Sequence, residues 1–233
     1  PEILTLGIHM QNYQHFVGGE VSDLPLGKVV CVGRNYAAHA KELNNPVPTE
    51  PALFMKPSTA LVKLDEPLVI PTDLGECHFE AEMSILIGQS LSNCTEDQAS
   101  TAIAGIGLAL DLTLRDLQQE LKEKRLPWEK AKSFDGACPV SDFVPITEST
   151  NLQNQQIVLR QNQKIKQNGN TADMLMPVLG LLSYISQFFT LLPGDIVLTG
   201  TPAGVGPLKI GDQLSLSLSE SIHCITEVGS SGR

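Results

Sequence analysis

The apolar positions of this chain fall mostly into short runs rather than long amphipathic stripes. Residues 28–33 (KVVCVG) form a compact β-branched run of the kind that makes a buried strand. Further strands are expected at 52–56, 68–70, 79–87 and 104–112, and again at 195–200, 213–218 and 221–227, with a polar hairpin at 157–166. An initial stretch, 3–16, predicts a short strand and a turn punctuated by Gly18–Gly19. Three segments predict helices. Residues 35–43 are Ala-rich, with Asn35 placed as an N-cap and Asn44, Asn45 and Pro46 as the stop. Residues 114–124 are charged and amphipathic, and 172–189 are apolar. The three prolines of 44–51 predict a loop, and the polar tail 229–233 is expected to be disordered. Strands outnumber helices and do not alternate with them. A doubly wound sheet is therefore disfavoured, and a mainly β, α+β single domain spanning 1–233 is expected.

Composition narrows the function classes. The 233 residues suffice for a sizeable core, and 42% hydrophobic against 18% charged residues excludes a disordered chain. The net charge of −10, with a pI near 4.9 and no basic stripe, argues against nucleic acid as a partner. An acidic protein that handles an anionic acid must supply local positive charge. The five cysteines (Cys31, Cys77, Cys94, Cys138, Cys224) show no C-x-x-C spacing, so free thiols in a reducing compartment are expected. The longest apolar candidate, 174–192, is interrupted by Pro177, Gly180 and Ser183, and no membrane association is expected. A cytoplasmic location follows as an expectation, or a mitochondrial one for a eukaryotic precursor with a transit segment.

The chemistry concentrates in 76–88, ECHFEAEMSILIG. On a strand, residues two apart share a face, so His78, Glu80, Glu82 and Ser84 would lie together, opposite Phe79, Ala81, Met83 and Ile85. Adjacent glutamates repel unless they are protonated, solvated or metal-bound. A third acid, Asp111, ends the apolar run IAGIGLAL, where an unpartnered carboxylate would be costly. Glu80, Glu82 and Asp111 together would make an oxygen-only site suited to Mg²⁺ or Mn²⁺. The spacing alone favours an edge strand with both glutamates in water.

Six ordered segments decide between these readings: VGRNYAAHAKEL, PALFMKPSTAL, HFEAE, ALDLTLRDLQ, LPWEKAKSFDGACPV and LTGTPAGVGP. Through them the chain resembles the fumarylacetoacetate hydrolase family, in particular its small acylpyruvate hydrolase and oxaloacetate decarboxylase branch, over a core of about 29–211. The resemblance implies a mixed β-sandwich roll, a homodimer, and Mg²⁺ or Mn²⁺ on Glu80, Glu82 and Asp111. It implies a His39–Glu42 catalytic dyad, whose i, i+3 spacing puts both on one helix face. It also places Arg115, Gln118, Lys132 and Thr201 at the oxo-carboxylate end of a small anionic 2-oxo acid, with Lys132 taking part in catalysis. The helix 35–43 and the loop after it resemble a closing lid. For His78, a place beside the metal and a purely structural place both stand.

The activity so implied is metal-dependent cleavage of a C–C bond in a 2-oxo or 2,4-diketo acid. Acylpyruvate hydrolysis and oxaloacetate decarboxylation would both pass through a pyruvate enolate held by the metal. An isomerase or hydratase of unsaturated 2-oxo acids is the rival enzyme. A metal-stabilised binding protein is the rival outside enzymology.

Overall fold

A computed structural model describes residues 13–43 and 49–230. The expectations for 3–12, 44–48 and 231–233 lie outside the described residues. A seven-stranded mixed sheet forms the centre, in the order Ala52–Lys56, Val29–Gly33, Ile196–Leu198, Ala81–Ile87, Ile103–Leu110, Cys138–Val140, Leu61–Lys63. Its pairings are antiparallel except Val29–Gly33 with Ile196–Leu198 and Cys138–Val140 with Leu61–Lys63. A five-stranded sheet follows the order Lys164–Asn170, Gln156–Gln161, Gln213–Leu218, Ile222–Ser230, Leu68–Ile70. Its inner strands pack across Ala81–Ile87 and Ile103–Leu110.

Alternation explains the layering. Met83, Ile85, Leu108 and Leu110 project into one core with Ile157, Leu159, Leu214 and Leu216 of the second sheet. Leu86, Ala109, Ile196 and Leu198 project the other way, into a smaller core with Phe143 and Tyr13. Ala81–Ile87 is thus buried on both faces, which is why MSILI carries no polar alternation beyond Ser84. The mainly β expectation holds, as two mixed sheets packed face to face.

Several elements differ from expectation for identifiable reasons. The strand expected at 79–87 is two strands, Cys77–Phe79 and Ala81–Ile87. The first pairs with Thr113–Leu114 and Gly206–Pro207 in a small separate sheet, so Glu80 sits at the join. Asn35 is not a cap. The helix runs Ala37–Glu42 from Tyr36, and the Asn35 side chain instead ties down Met176 and Thr199 through their backbones. The long helix expected at 172–189 is a 3₁₀ turn, Thr171–Asp173, and a separate helix, Val178–Ser186, that begins after Pro177. Gly229 and Ser230, expected in a disordered tail, complete Ile222–Ser230 and pair with Val69 and Ile70. The helix Glu96–Thr101 was not anticipated, although Thr95 and Gln98 form a capping box that announces it. All five cysteines are free and buried. Among the described residues no helix is long and apolar enough to cross a membrane.

Candidate active site

Three pieces of backbone bring the acids together. Glu80 occupies the join between its two strands, Glu82 lies one pleat further on, and Asp111 follows Ile103–Leu110, which pairs with Ala81–Ile87 in the register Ala81 opposite Leu110. The Asp111 N–H donates to the Glu80 carbonyl at 2.8 Å, locking the two ends. Glu80, Glu82 and Asp111 are all buried, and each offers one oxygen within 4.8 Å of the others. The solvated edge strand is therefore excluded. Glu82 sits on a central strand of the seven-stranded sheet and Glu80 at that strand's head, both buried.

The cluster is unevenly compensated. Lys132 Nζ donates to Glu80 Oε2 at 3.0 Å and to Asp111 Oδ2 at 2.6 Å. Lys56, fully buried, lies 2.8 Å from Asp111 Oδ1, and Arg115 pairs with Glu80 Oε1. Burial opposes the charge on Glu80, but Lys132, Arg115 and His39 more than offset it and hold the carboxyl well below the ordinary range. Burial likewise opposes the charge on Lys132, and Asp111 and Glu80 more than restore it, so its pKa rises. Glu82 has no such partner among the described residues beyond the Gly200 N–H, 2.5 Å from its Oε2. Burial, then Asp111 and Glu80, push its carboxyl well up. A hard dication is the species that would let all three ionise together, and an all-oxygen donor set suits Mg²⁺ or Mn²⁺. The residues fit the ion.

The other expected residues surround the same cleft. His39 lies on its wall, with Nδ1 3.2 Å from Glu42 Oε2, and the other Glu42 oxygen accepts from the Gly204 N–H at 3.0 Å. Arg115 and Gln118 share a face of the helix Arg115–Glu123 and bond to each other at 2.9 Å. Thr201 lines the cleft too, but its hydroxyl donates to the Ala81 carbonyl at 2.8 Å and accepts from Gln167 Nε2 at 2.7 Å. Its side chain is committed to the scaffold. His78 stands apart, with Nε2 3.2 Å from Glu76.

Three cationic residues inside the quoted motifs or beside them had no assigned role: Arg34, Lys56 and Lys122. Arg34 and Lys122 line the cleft and Lys56 supports it from beneath. Arg34 had a readable signal, since it directly follows a buried strand in VGRNYAAHAKEL. Lys56 ends an apolar strand, where sequence cannot tell a buried ammonium from one that reaches water.

Comparison with known proteins agrees with this geometry. The fumarylacetoacetate (FAA) hydrolase C-terminal family matches residues 28–229. The chain belongs to the fumarylacetoacetate hydrolase family. Among family members, it is 52% identical over 207 residues to oxaloacetate tautomerase YcgM of Escherichia coli, covering 88% of this chain and 94% of that protein. A mitochondrial oxaloacetate tautomerase of Bos taurus is 42% identical over 190 residues, covering 82% and 86%. The crystal structure of a fumarylpyruvate hydrolase from Pseudomonas aeruginosa, in complex with Mn²⁺ and pyruvate, superposes with a TM-score of 0.89 at 32% identity, over 94% of this chain and 96% of that one. These family members are enzymes of small oxo acids.

Proposed function

We propose that the chain acts on small 2-oxo acids of the oxaloacetate type through their enolate, with keto–enol tautomerisation as the leading reaction. The observation that carries this reading is the His39–Glu42 pair opening onto the same cleft as the three buried carboxylates and Lys132. An ionised Glu42 can only accept, so His39 Nδ1 carries the proton and Nε2 presents a lone pair to the cleft. That nitrogen is the base that takes a proton from C3 of the keto acid. The electron pair moves onto the C2 oxygen, where Lys132 and Arg115 supply positive charge and donors. Return of the proton to oxygen gives the enol, and return to C3 regenerates the ketone. Mg²⁺ or Mn²⁺ on Glu80, Glu82 and Asp111 would supply Lewis acidity toward the oxo-carboxylate end. Similarity to oxaloacetate tautomerases favours isomerisation over the bond cleavage expected from sequence.

Cleavage stays as the second reading, for a specific reason. The same dyad can activate water against an acyl carbonyl, and loss of carbon dioxide from oxaloacetate collects charge on the same oxygen. The likeness to a fumarylpyruvate hydrolase favours it.

The test follows enol loss from oxaloacetate by ultraviolet absorbance, with pyruvate assayed in parallel and acetylpyruvate as a second substrate. Enol loss should accelerate with Mg²⁺ or Mn²⁺ and outrun pyruvate formation. His39→Ala should lower kcat by about 10²–10⁴, the usual contribution of a positioned base, while Mn²⁺ affinity stays within a few-fold. A full rate in His39→Ala would refute the assignment of the base. Pyruvate appearing as fast as enol disappears would transfer the activity to cleavage.

A further inference from the structure

Four cationic side chains line the cleft, and only two of them are answered by its acids. Arg115 and Lys132 are engaged with Glu80 and Asp111. Arg34 and Lys122 have no acidic partner among the described residues. Lys122 extends from the helix Arg115–Glu123 one turn beyond Gln118, and its ammonium is placed by two contacts. It donates to Gln118 Oε1 at 3.3 Å and lies 5.4 Å from the centre of the Trp128 ring. Arg34 reaches the same side from the end of Val29–Gly33, with φ of 64°, a left-handed conformation unusual for a side chain of its size. Both line the same cleft wall. Burial, followed by Arg115, Arg34 and Lys132, pulls the Lys122 amine down to about 8, and Glu80, which is not in ion-pair contact with it, offsets this only in part. In a chain of net charge −10, two like charges converging on a half-buried cleft wall without a counter-ion make a receptor for an anion.

We propose that Arg34 and Lys122 hold the second carboxylate of a dicarboxylic 2-oxo acid, and so set a preference for dianionic substrates over monoacids with neutral tails. The inference rests on the oxo-acid reading above, because the first carboxylate and the oxo group must already be held at the Lys132 end. The charge count agrees with it. Three acids (Glu80, Glu82, Asp111) face three cations around them (Lys56, Lys132, Arg115), so a bound dication together with Arg34 and Lys122 leaves the cleft four positive charges. A dianionic acid offsets two of them where a monoanion offsets one, with its far carboxylate delivered to the two unanswered cations. An acyl tail would leave the half-buried Lys122 charge with only the neutral Gln118 and Trp128 as partners.

The test is a binding ratio, which cancels damage shared by both ligands through Gln118. Mn²⁺-loaded protein is titrated calorimetrically with 3,3-difluoro-oxaloacetate, a dianion with no C3 proton to lose, and with the monoanion 2-oxobutanoate. The wild type should prefer the dianion by tenfold or more. Lys122→Met, and separately Arg34→Asn, which tolerates the positive φ, should each cut that preference at least fivefold. Lys122→Glu should reverse it. A wild type that binds the monoacid as tightly as the dianion, or variants whose ratio stays within twofold of wild type, would overturn the inference and leave the oxo-acid reading intact. Should the wild type bind neither acid, both fall together. Arg34 lies on a different element from Lys122, so one misfolded variant does not spare the idea.

Discussion

The Lys56 ammonium is fully buried, facing Asp111 at 2.8 Å and donating to the carbonyls of Ala137 at 3.0 Å and of Lys132. A buried ion pair contributes little compared with an apolar pair, but removing one partner strands the other. Lys56→Met should therefore cost about 3 kcal/mol in denaturant unfolding, the lower end for a broken buried pair because Asp111 keeps Lys132. Lys124→Met, which breaks the exposed pair with Glu120, should move the midpoint far less. Equal shifts would mean that Lys56 is not buried as described. The acids of the site were legible in sequence because carboxylates at the end of apolar strands need a reason. Their buried cations were less so. A lysine that ends a strand reads the same whether its ammonium meets water or, like Lys56, the underside of a carboxylate.

The turn after Ile196–Leu198 shows how an element aims a side chain. Gly200 has φ of 99°, and a Cβ there would lie 2.7 Å from the Asn35 Cβ. This conformation points its N–H at Glu82 and lets Asn35 reach the Thr199 carbonyl at 2.9 Å. Gly200→Ala should destabilise by about 1–3 kcal/mol from backbone strain, and it should also weaken Mn²⁺ binding, because Glu82 loses its one aligned donor. Unaltered Mn²⁺ affinity in a folded Gly200→Ala protein would show that the turn does not position Glu82. The strand pattern near this turn was readable, and Gln213–Leu218 falls where the alternation places it. Asn35 was not, since a polar residue before a helix fits a local cap as well as a bridge to Met176 and Thr199, 141 and 164 positions away. Local pattern cannot distinguish the two. Pro177 is the legible signal for the break before Val178–Ser186, but the apolar run around it has the pattern of one continuous helix.

At the scale of the whole molecule, the three acids make stability depend on what occupies the centre of the fold. Their elements include the two longest-paired strands of the central sheet, so repulsion between them acts on the core and not on a loop. An ion that binds only the folded chain stabilises it by about 2.7 kcal/mol at a hundred times its dissociation constant. Mn²⁺ or Mg²⁺ should therefore raise the unfolding midpoint, and chelator should return it. The effect should also depend on pH with a definite sign. Glu82 has its folded pKa raised, so the folded apo-protein holds a proton that the unfolded chain has already released, and its stability falls as pH rises from the unfolded value toward the folded one. Metal binding must expel that proton, so apparent affinity and the metal-induced shift should grow as pH rises through the same window. In Glu82→Gln, with no proton to expel, the shift should be small and nearly independent of pH. A midpoint that ignores Mn²⁺ at every pH would show that the acids hold no dication, and a shift that shrinks on going from acid to neutral would show that no proton leaves Glu82 when the ion binds.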